Sequence, residues 1–221
     1  MSTRFPSYAG TALAIAVTTG IYGISFGALA TAAGLGVAKA CALSALVFTG
    51  GSQFAAVAVI AAGGSPATAA GNALLLGARN TAYGFVNAPT LQRLRLPGRI
   101  AATQLVIDET TAVASAQDAE DDRLGAFLWT GIALWLCWNL GTLLGALAGD
   151  SIGDPARWGL DAMFPAAFVA LLAPQLRQRG AWPAALLGGA IALVLVPITP
   201  VGVPVLASIL GLLAARSAWR A

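Results

Sequence analysis

Residues Ala40–Ala78 read ACALSALVFTGGSQFAAVAVIAAGGSPATAAGNALLLGA, without one Lys, Arg, Asp or Glu. Four other stretches share that property: Phe5–Ala38, Leu124–Gly149, Ala162–Gln175 and Gly180–Ala215. A bilayer core of ~30 Å is crossed by ~20 helical residues. All but Ala162–Gln175 exceed one crossing, and that run is bounded by Asp161 and Arg177. A soluble domain carries roughly a quarter charged residues. This chain carries 10%, with 58% hydrophobic residues and a mean hydropathy of +0.79. The expected fold is all-α: a polytopic transmembrane helix bundle of about seven or eight membrane helices, some short, broken or re-entrant. No segment is polar enough to fold apart from it, so residues 1–221 read as a single integral membrane domain.

The same composition excludes several chemistries. The net charge of +3 is small and scattered, which gives no nucleic-acid footprint. The sequence has no His, so His-dependent metal sites and Ser–His or Cys–His nucleophiles are ruled out. Cys41 and Cys137 lie in apolar runs without paired spacing and read as packing residues. Arg4 and the apolar run after it imitate a signal peptide, but the run is too long and reads as a retained first helix. Neither an enzyme nor a cofactor is expected.

Breakers divide the runs into expected helices. They lie at about Gly10–Ala33, Ala40–Ala62, Ala67–Ala88 (ended by Pro89), Gly98–Ala116, Leu124–Ala148 and Leu160–Leu176. The run from Gly180 to Ala215 would be ~54 Å long as one helix. Pro197, Pro200 and Pro204 therefore divide it, at either a surface turn or an unwound stretch within the membrane. Arg93, Arg95 and Arg99, then Arg177 and Arg179, then Arg216 and Arg220, form basic sites expected on the cytoplasmic face. The acidic loop Gly149–Asp161 is expected outside. Gly23/Gly27 and Gly141/Gly145/Gly149 have the four-residue spacing that permits close helix approach, either within the chain or against a second subunit.

Charged and polar residues inside apolar runs are the candidate site. Read as one helix, Ala67–Ala88 places Asn72, Arg79, Tyr83 and Asn87 within about an 80° sector, with Asn80 at its edge. A guanidinium at membrane depth faces protein or water. Arg79 holds either a substrate carboxylate or an internal acid. In the next helix Gln104, Asp108, Thr111 and Ser115 share a face, with Glu109 ~100° away. Asp108 or Glu109 would carry a coupling proton or meet a substrate ammonium; the alternative is that both are solvated at the interface. FTGGSQF (Phe48–Phe54) sets Thr49, Ser52 and Gln53 beside two glycines, and GISFG (Gly23–Gly27) contributes Ser25. Exposed backbone beside hydroxyl and amide groups is the equipment of a polar-ligand site in a broken helix. Phe54 and the missing His rule out a nucleophile elbow. The acidic run Asp118–Asp122 reads as a solvated loop, and the tryptophans as interfacial or packing aromatics.

Seven segments then carry a resemblance. GISFGALA (Gly23–Ala30), LVFTGGSQFAAVAVIAAGGS (Leu46–Ser65), ARNTAYG (Ala78–Gly84), DET (Asp108–Thr110), WNLGTLLGALAGD (Trp138–Asp150), GLDAMFPAAFVALLAP (Gly159–Pro174) and TPVGVPVLASILGLLA (Thr199–Ala214) occur in that order. Together they resemble the AzlC family over nearly the whole chain. The resemblance implies the large subunit of a branched-chain amino-acid exporter in the bacterial cytoplasmic membrane. It also implies a small AzlD-type partner of about four helices, and a multi-pass complex open to higher oligomers. Valine, leucine and isoleucine are the implied substrates, with methionine or azaleucine as relatives, moved by secondary transport. This chain has no Gly-xxxx-Gly-Lys-Ser/Thr loop for ATP. It departs from the family in the expected helix Ala67–Ala88, where Gly77–Ala78–Arg79–Asn80 replaces the usual Asn-Ala-Arg-His. The alternatives are a transporter or channel for another small amphiphilic solute, or a non-transporting scaffold subunit.

Overall fold

The computed structural model describes residues 6–152, 169, 172–173, 176–178 and 180–213, with 150–152 described by backbone alone. Among the described residues every regular element is helical. In order they are α1 (Ala9–Ala32), α2 (Val37–Leu46), α3 (Gly51–Ala61), α4 (Pro66–Gly77) and α5 (Asn80–Leu91). Then come α6 (Leu96–Thr103), α7 (Asp108–Ser115), α8 (Glu120–Ile152), α9 (Ala181–Leu195) and α10 (Val203–Ala207), followed by a 3₁₀ turn at Ser208–Gly211. The expected helix at Leu160–Leu176 lies largely outside the described residues, as do the acidic loop beyond Gly153 and the arginines at 179, 216 and 220. The chain gathers into two compact units: Met1–Gln53 with Gly77–Gly153, and Phe54–Leu76 with Asp154–Ala221.

Among the described residues two helices are long and apolar enough to cross a bilayer, Ala9–Ala32 and Glu120–Gly149. They are the frame of the first unit. Glycine is essential to their approach. A Cβ on Gly23 would lie 2.6 Å from the Trp138 carbonyl oxygen. Side chains on Gly27, Gly141 and Gly145 would collide with the carbonyls of Thr142, Gly20 and Ile24 respectively. The two glycine series therefore serve packing within the chain. Around this seam Phe26 and Trp138 stack with centroids 5.9 Å apart, and Ala12, Ala16 and Ala146 are fully buried. The outward faces of the same helices expose Leu13, Val17, Ile21, Leu136, Leu140 and Leu147. A second cluster, Leu91, Ala102, Val106, Ala114 and Phe127, joins α5, α6 and α7 to α8.

Three expected helices are interrupted. The Ala40–Ala62 helix is α2 and α3, parted at Val47–Gly50, where Gly50 has φ +60°. The Gly98–Ala116 helix is α6 and α7. Its chain tightens through bonds from Gln104, Leu105 and Val106 to residues three back, then extends at Ile107 (φ −138°, ψ 174°). The Ala67–Ala88 helix is α4 and α5, joined by a tight turn in which Thr81 and Ala82 bond Ala78 and Arg79. Pro89 does not end α5. It forfeits one donor, while Gln92 N–H still reaches the Ala88 carbonyl at 3.0 Å. The acidic run also differs, since Glu120–Asp122 open α8, where the helix dipole favours them. Asp121 pairs there with Arg93.

In the second unit Ser65 accepts a hydrogen bond from Thr68 N–H at 3.1 Å and so caps α4, which begins at Pro66. Ala56, Val59 and Ala69 pack α3 on α4. The C-terminal run divides as its prolines require, with residues 196–202 forming the turn between α9 and α10.

Gly27→Val and Gly145→Val should each lower the melting temperature of the detergent-solubilised protein, through overpacking of at least about 1–3 kcal/mol. Gly10→Ala, whose added Cβ meets nothing within 4 Å, is the control. Wild-type melting in both valine variants would show that the close approach is dispensable.

Candidate functional site: a cleft at three helix interruptions

A helix ends with carbonyl oxygens that have no helical partner, and apolar surroundings leave them unsolvated. At the end of α2 the sequence supplies amides and an indole for them. Gln104 Nε2 donates to the carbonyls of Ala45 and Leu46, each at 3.0 Å, and Gln53 Nε2 adds a second donor, at 3.1 Å, to the Leu43 carbonyl that already accepts the Val47 N–H. Trp135 Nε1 reaches the Ala45 carbonyl at 3.3 Å. Gln53 Oε1 also accepts from Gly50 N–H at 3.1 Å, closing the interruption from both sides. Nearby, Ser44 and Thr142 share a fully buried hydroxyl bond of 3.0 Å, tying α2 to α8.

The three interruptions of the first unit meet around a cleft of about 400 Å³. That volume lies in the ~300–1,000 Å³ range of small-molecule sites. Leu46, Val47, Phe48 and Val106 give it an apolar wall. Thr49, Asn80, Thr81, Thr103 and Gln104 supply polar groups. Thr49 Oγ1 and Asn80 Oδ1 are buried without a hydrogen-bond partner among the described residues. Such atoms are costly to leave unpaired, at ~1–3 kcal/mol each.

A charge pair borders the cleft in sequence and joins two of its helices. Arg79 caps α5 immediately before Asn80, and Asp108 opens α7 two residues after Val106. Arg79 Nη2 lies 3.9 Å from Asp108 Oδ1, with the side chains 39% and 46% exposed. The pair is loose and accessible. Asp108 sits well at a helix N-terminus, whereas Arg79 faces the positive end of a dipole and gains from a nearby anion. Thr110 Oγ1 accepts the Ile107 N–H at 3.2 Å, which holds the start of α7 in place.

The expected site residues fall into distinct groups. Arg79, Asn80, Asp108 and Thr49 gather at or beside the cleft. Glu109 follows Asp108 on α7 and is half-buried. Ser52 is buried on α3, and its Oγ lies 3.3 Å from where a Cβ on Gly77 would stand. Gln53 is fully buried and committed to the backbone. Tyr83 packs on the cluster around Phe127, and Ser25 is half-buried on α1 away from the cleft lining.

The polar stripe expected along Ala67–Ala88 does not exist as one face, because the helix is interrupted before Arg79. Asn72 bonds Gly202 in the second unit, while Asn87 bonds Thr111 at 2.7 Å in the first. The shared face of Gln104, Asp108, Thr111 and Ser115 is divided in the same way at Ile107. Thr81, Thr103 and the capping role of Gln104 went unread. Their only signal was a hydrophilic residue within a long apolar run.

These features define a helical membrane protein with a polar cleft built on broken helices. Its relatives agree. The family model described as AzlC protein matches residues 14–152. The chain is 32% identical over 176 residues to the Escherichia coli inner membrane protein YgaZ, covering 76% of this chain and 72% of that protein. An uncharacterized membrane protein of Archaeoglobus fulgidus is 34% identical over 183 residues, covering 81% of this chain and 80% of its own length. No solved structure matches. The chain belongs to the AzlC family.

Gln53→Leu should cost about 1–3 kcal/mol, because it strands the Gly50 N–H and weakens the end of α2. Thermal melting would read the loss, and hydrogen exchange would show faster exchange at Gly50. Unchanged exchange at Gly50 would remove Gln53 from this capping role.

Proposed function

We propose that this chain is the large subunit of a secondary exporter of branched-chain amino acids, acting in the cytoplasmic membrane with a small AzlD-type subunit. The observation that carries this reading is the loose Arg79–Asp108 pair beside a cleft with an aliphatic wall. A zwitterion can exchange partners with such a pair. Its carboxylate goes to Arg79 at the α5 N-terminus, where guanidinium and dipole act together. Its ammonium goes to Asp108, and the Thr49 and Asn80 oxygens are further acceptors. The exchange keeps every charge paired, which matters where water is scarce.

Leu46, Val47, Phe48 and Val106 then face an aliphatic side chain. One methylene more or less in such a wall is worth only ~1–3 kcal/mol, so selection among valine, leucine, isoleucine and methionine is loose. Short helices whose ends point at a site are how transporters expose backbone charge without exposing it to lipid. Glu109, next to Asp108, is the candidate carrier of a coupling proton. The reading assigns the chain no catalytic step and no cofactor.

The test is amino-acid efflux from cells loaded with a leucine- or valine-containing dipeptide, with the two subunits expressed together and separately. Arg79→Ala and Asp108→Asn should each reduce efflux at least about tenfold at normal membrane abundance, a loss of ~1.4 kcal/mol or more. The reciprocal exchange Arg79→Asp with Asp108→Arg separates the two roles of the pair. It restores efflux if the pair is purely structural and fails to restore it if each charge meets its own part of the substrate. Absence of branched-chain efflux from assembled, abundant protein would end the substrate assignment.

A further inference from the structure

The second unit contains a different cavity, of about 840 Å³, open on one side and lined by residues of α3, α4, α9 and α10. Its chemistry turns on Asn72, which lines it and is only 2% exposed. Asn72 Nδ2 donates to the Thr68 carbonyl at 2.8 Å and to the Gly202 carbonyl at 3.0 Å. Both partners are acceptors, so rotating the amide would set oxygen against oxygen, and the donor end is thereby fixed. Gly202 is suited to its place. It has φ +90°, and a Cβ there would stand 3.0 Å from Thr68 Cβ and 3.1 Å from Asn72 Nδ2.

The other end of the amide has no such provision. Asn72 Oδ1 is buried without a hydrogen-bond partner among the described residues. A buried orphan acceptor costs ~1–3 kcal/mol, and a ligand donor that reaches it, with a small shift of the atoms that cover it, recovers that cost. The surrounding walls are mainly aliphatic, including Ala58, Leu75, Leu76, Ala185, Val205 and Ile209, with Gln178 and Ser208 as further polar residues. No Lys, Arg, Asp or Glu is among the described residues lining the cavity. A charged molecule would find no counter-charge among those residues, so their apolar surroundings favour an uncharged one.

We infer that this cavity binds an uncharged aliphatic molecule bearing a hydroxyl or N–H group, which donates to Asn72 Oδ1 while its chain lies against the alanine, leucine and valine walls. Such a molecule comes either from the bilayer, as a neutral lipid, or from solution, as a free long-chain alcohol or amide. The inference is independent of the export reading, because it concerns other residues and another ligand class.

The test is photo-crosslinking of the purified full chain in nanodiscs with a diazirine-bearing undecanol, against the matching undecane. Labelled peptides are mapped by mass spectrometry. The alcohol should label the segments containing Leu75 and Val205 about tenfold more than the alkane does, the worth of one well-made hydrogen bond to a buried acceptor. Asn72→Leu should reduce alcohol labelling to the alkane's level. Ala58→Leu, which keeps Asn72 and both its bonds, should reduce it by narrowing the cavity. Excess leucine should leave it unchanged. Native mass spectrometry of the purified chain separates the sources: a co-purified hydroxyl-bearing lipid chased by undecanol identifies the bilayer, and uptake of undecanol by an unoccupied chain identifies solution. Equal labelling by the two probes, alcohol labelling indifferent to both variants, or displacement by leucine would each overturn the inference.

Discussion

The carbonyl oxygens of Leu43, Ala45 and Leu46 end a helix where the surroundings offer little water, and the arrangement of the first unit follows from how they are satisfied. Gln53 reaches Leu43 from the next helix, while Gln104 and Trp135 reach Ala45 and Leu46 from segments far along the chain. Each of these bonds stabilises an interruption that a lone helix would avoid. Because the donors come from three segments, satisfying one helix end also brings other interruptions to it. The cleft forms where they meet. Backbone polarity that would be a liability in lipid is thereby confined to one place, where it can serve a ligand.

Rigidity of the frame comes from a different source. Helices α1 and α8 approach until glycine is the only tolerable residue at Gly27, Gly141 and Gly145. Apolar side chains gain nothing from leaving hydrocarbon for a protein interior of equal polarity, so close backbone approach and dispersion replace the hydrophobic effect as the cause of association. The outward faces are left free to carry Leu and Ile, as Leu13, Ile21, Leu136 and Leu140 do. A tight pair of long helices and a set of short ones divide the labour: the first holds its shape, and the second presents polar groups.

The polar groups themselves are of two kinds. Gln53, Asn87 and Gln104 have their amide donors committed to other parts of the protein. Thr49 Oγ1, Asn80 Oδ1 and Asn72 Oδ1 are buried and uncommitted. The first kind builds, and the second has no partner among the described residues. The Arg79–Asp108 pair lies between these categories, near enough to neutralise and open enough to exchange partners.

Much of this was legible in the sequence. Charge-free runs gave the helical class, and Gly50–Gly51, Gly63–Ser65 and the prolines around 200 marked real turns, because glycine and proline act through local dihedral limits. The four-residue glycine spacing marked the α1–α8 seam for the same local reason. The interruption at Ile107 carried no breaker residue and the one before Arg79 only the single Gly77, and periodicity across the latter placed Asn72 and Asn87 on one imagined face. Their actual partners, Gly202 and Thr111, lie 130 and 24 positions away. The sequence by itself determined which segments are helical and which polar groups are too costly to face lipid. Only the tertiary structure decided which of those groups satisfy one another and which remain open, because that depends on distances between segments that local propensity does not encode.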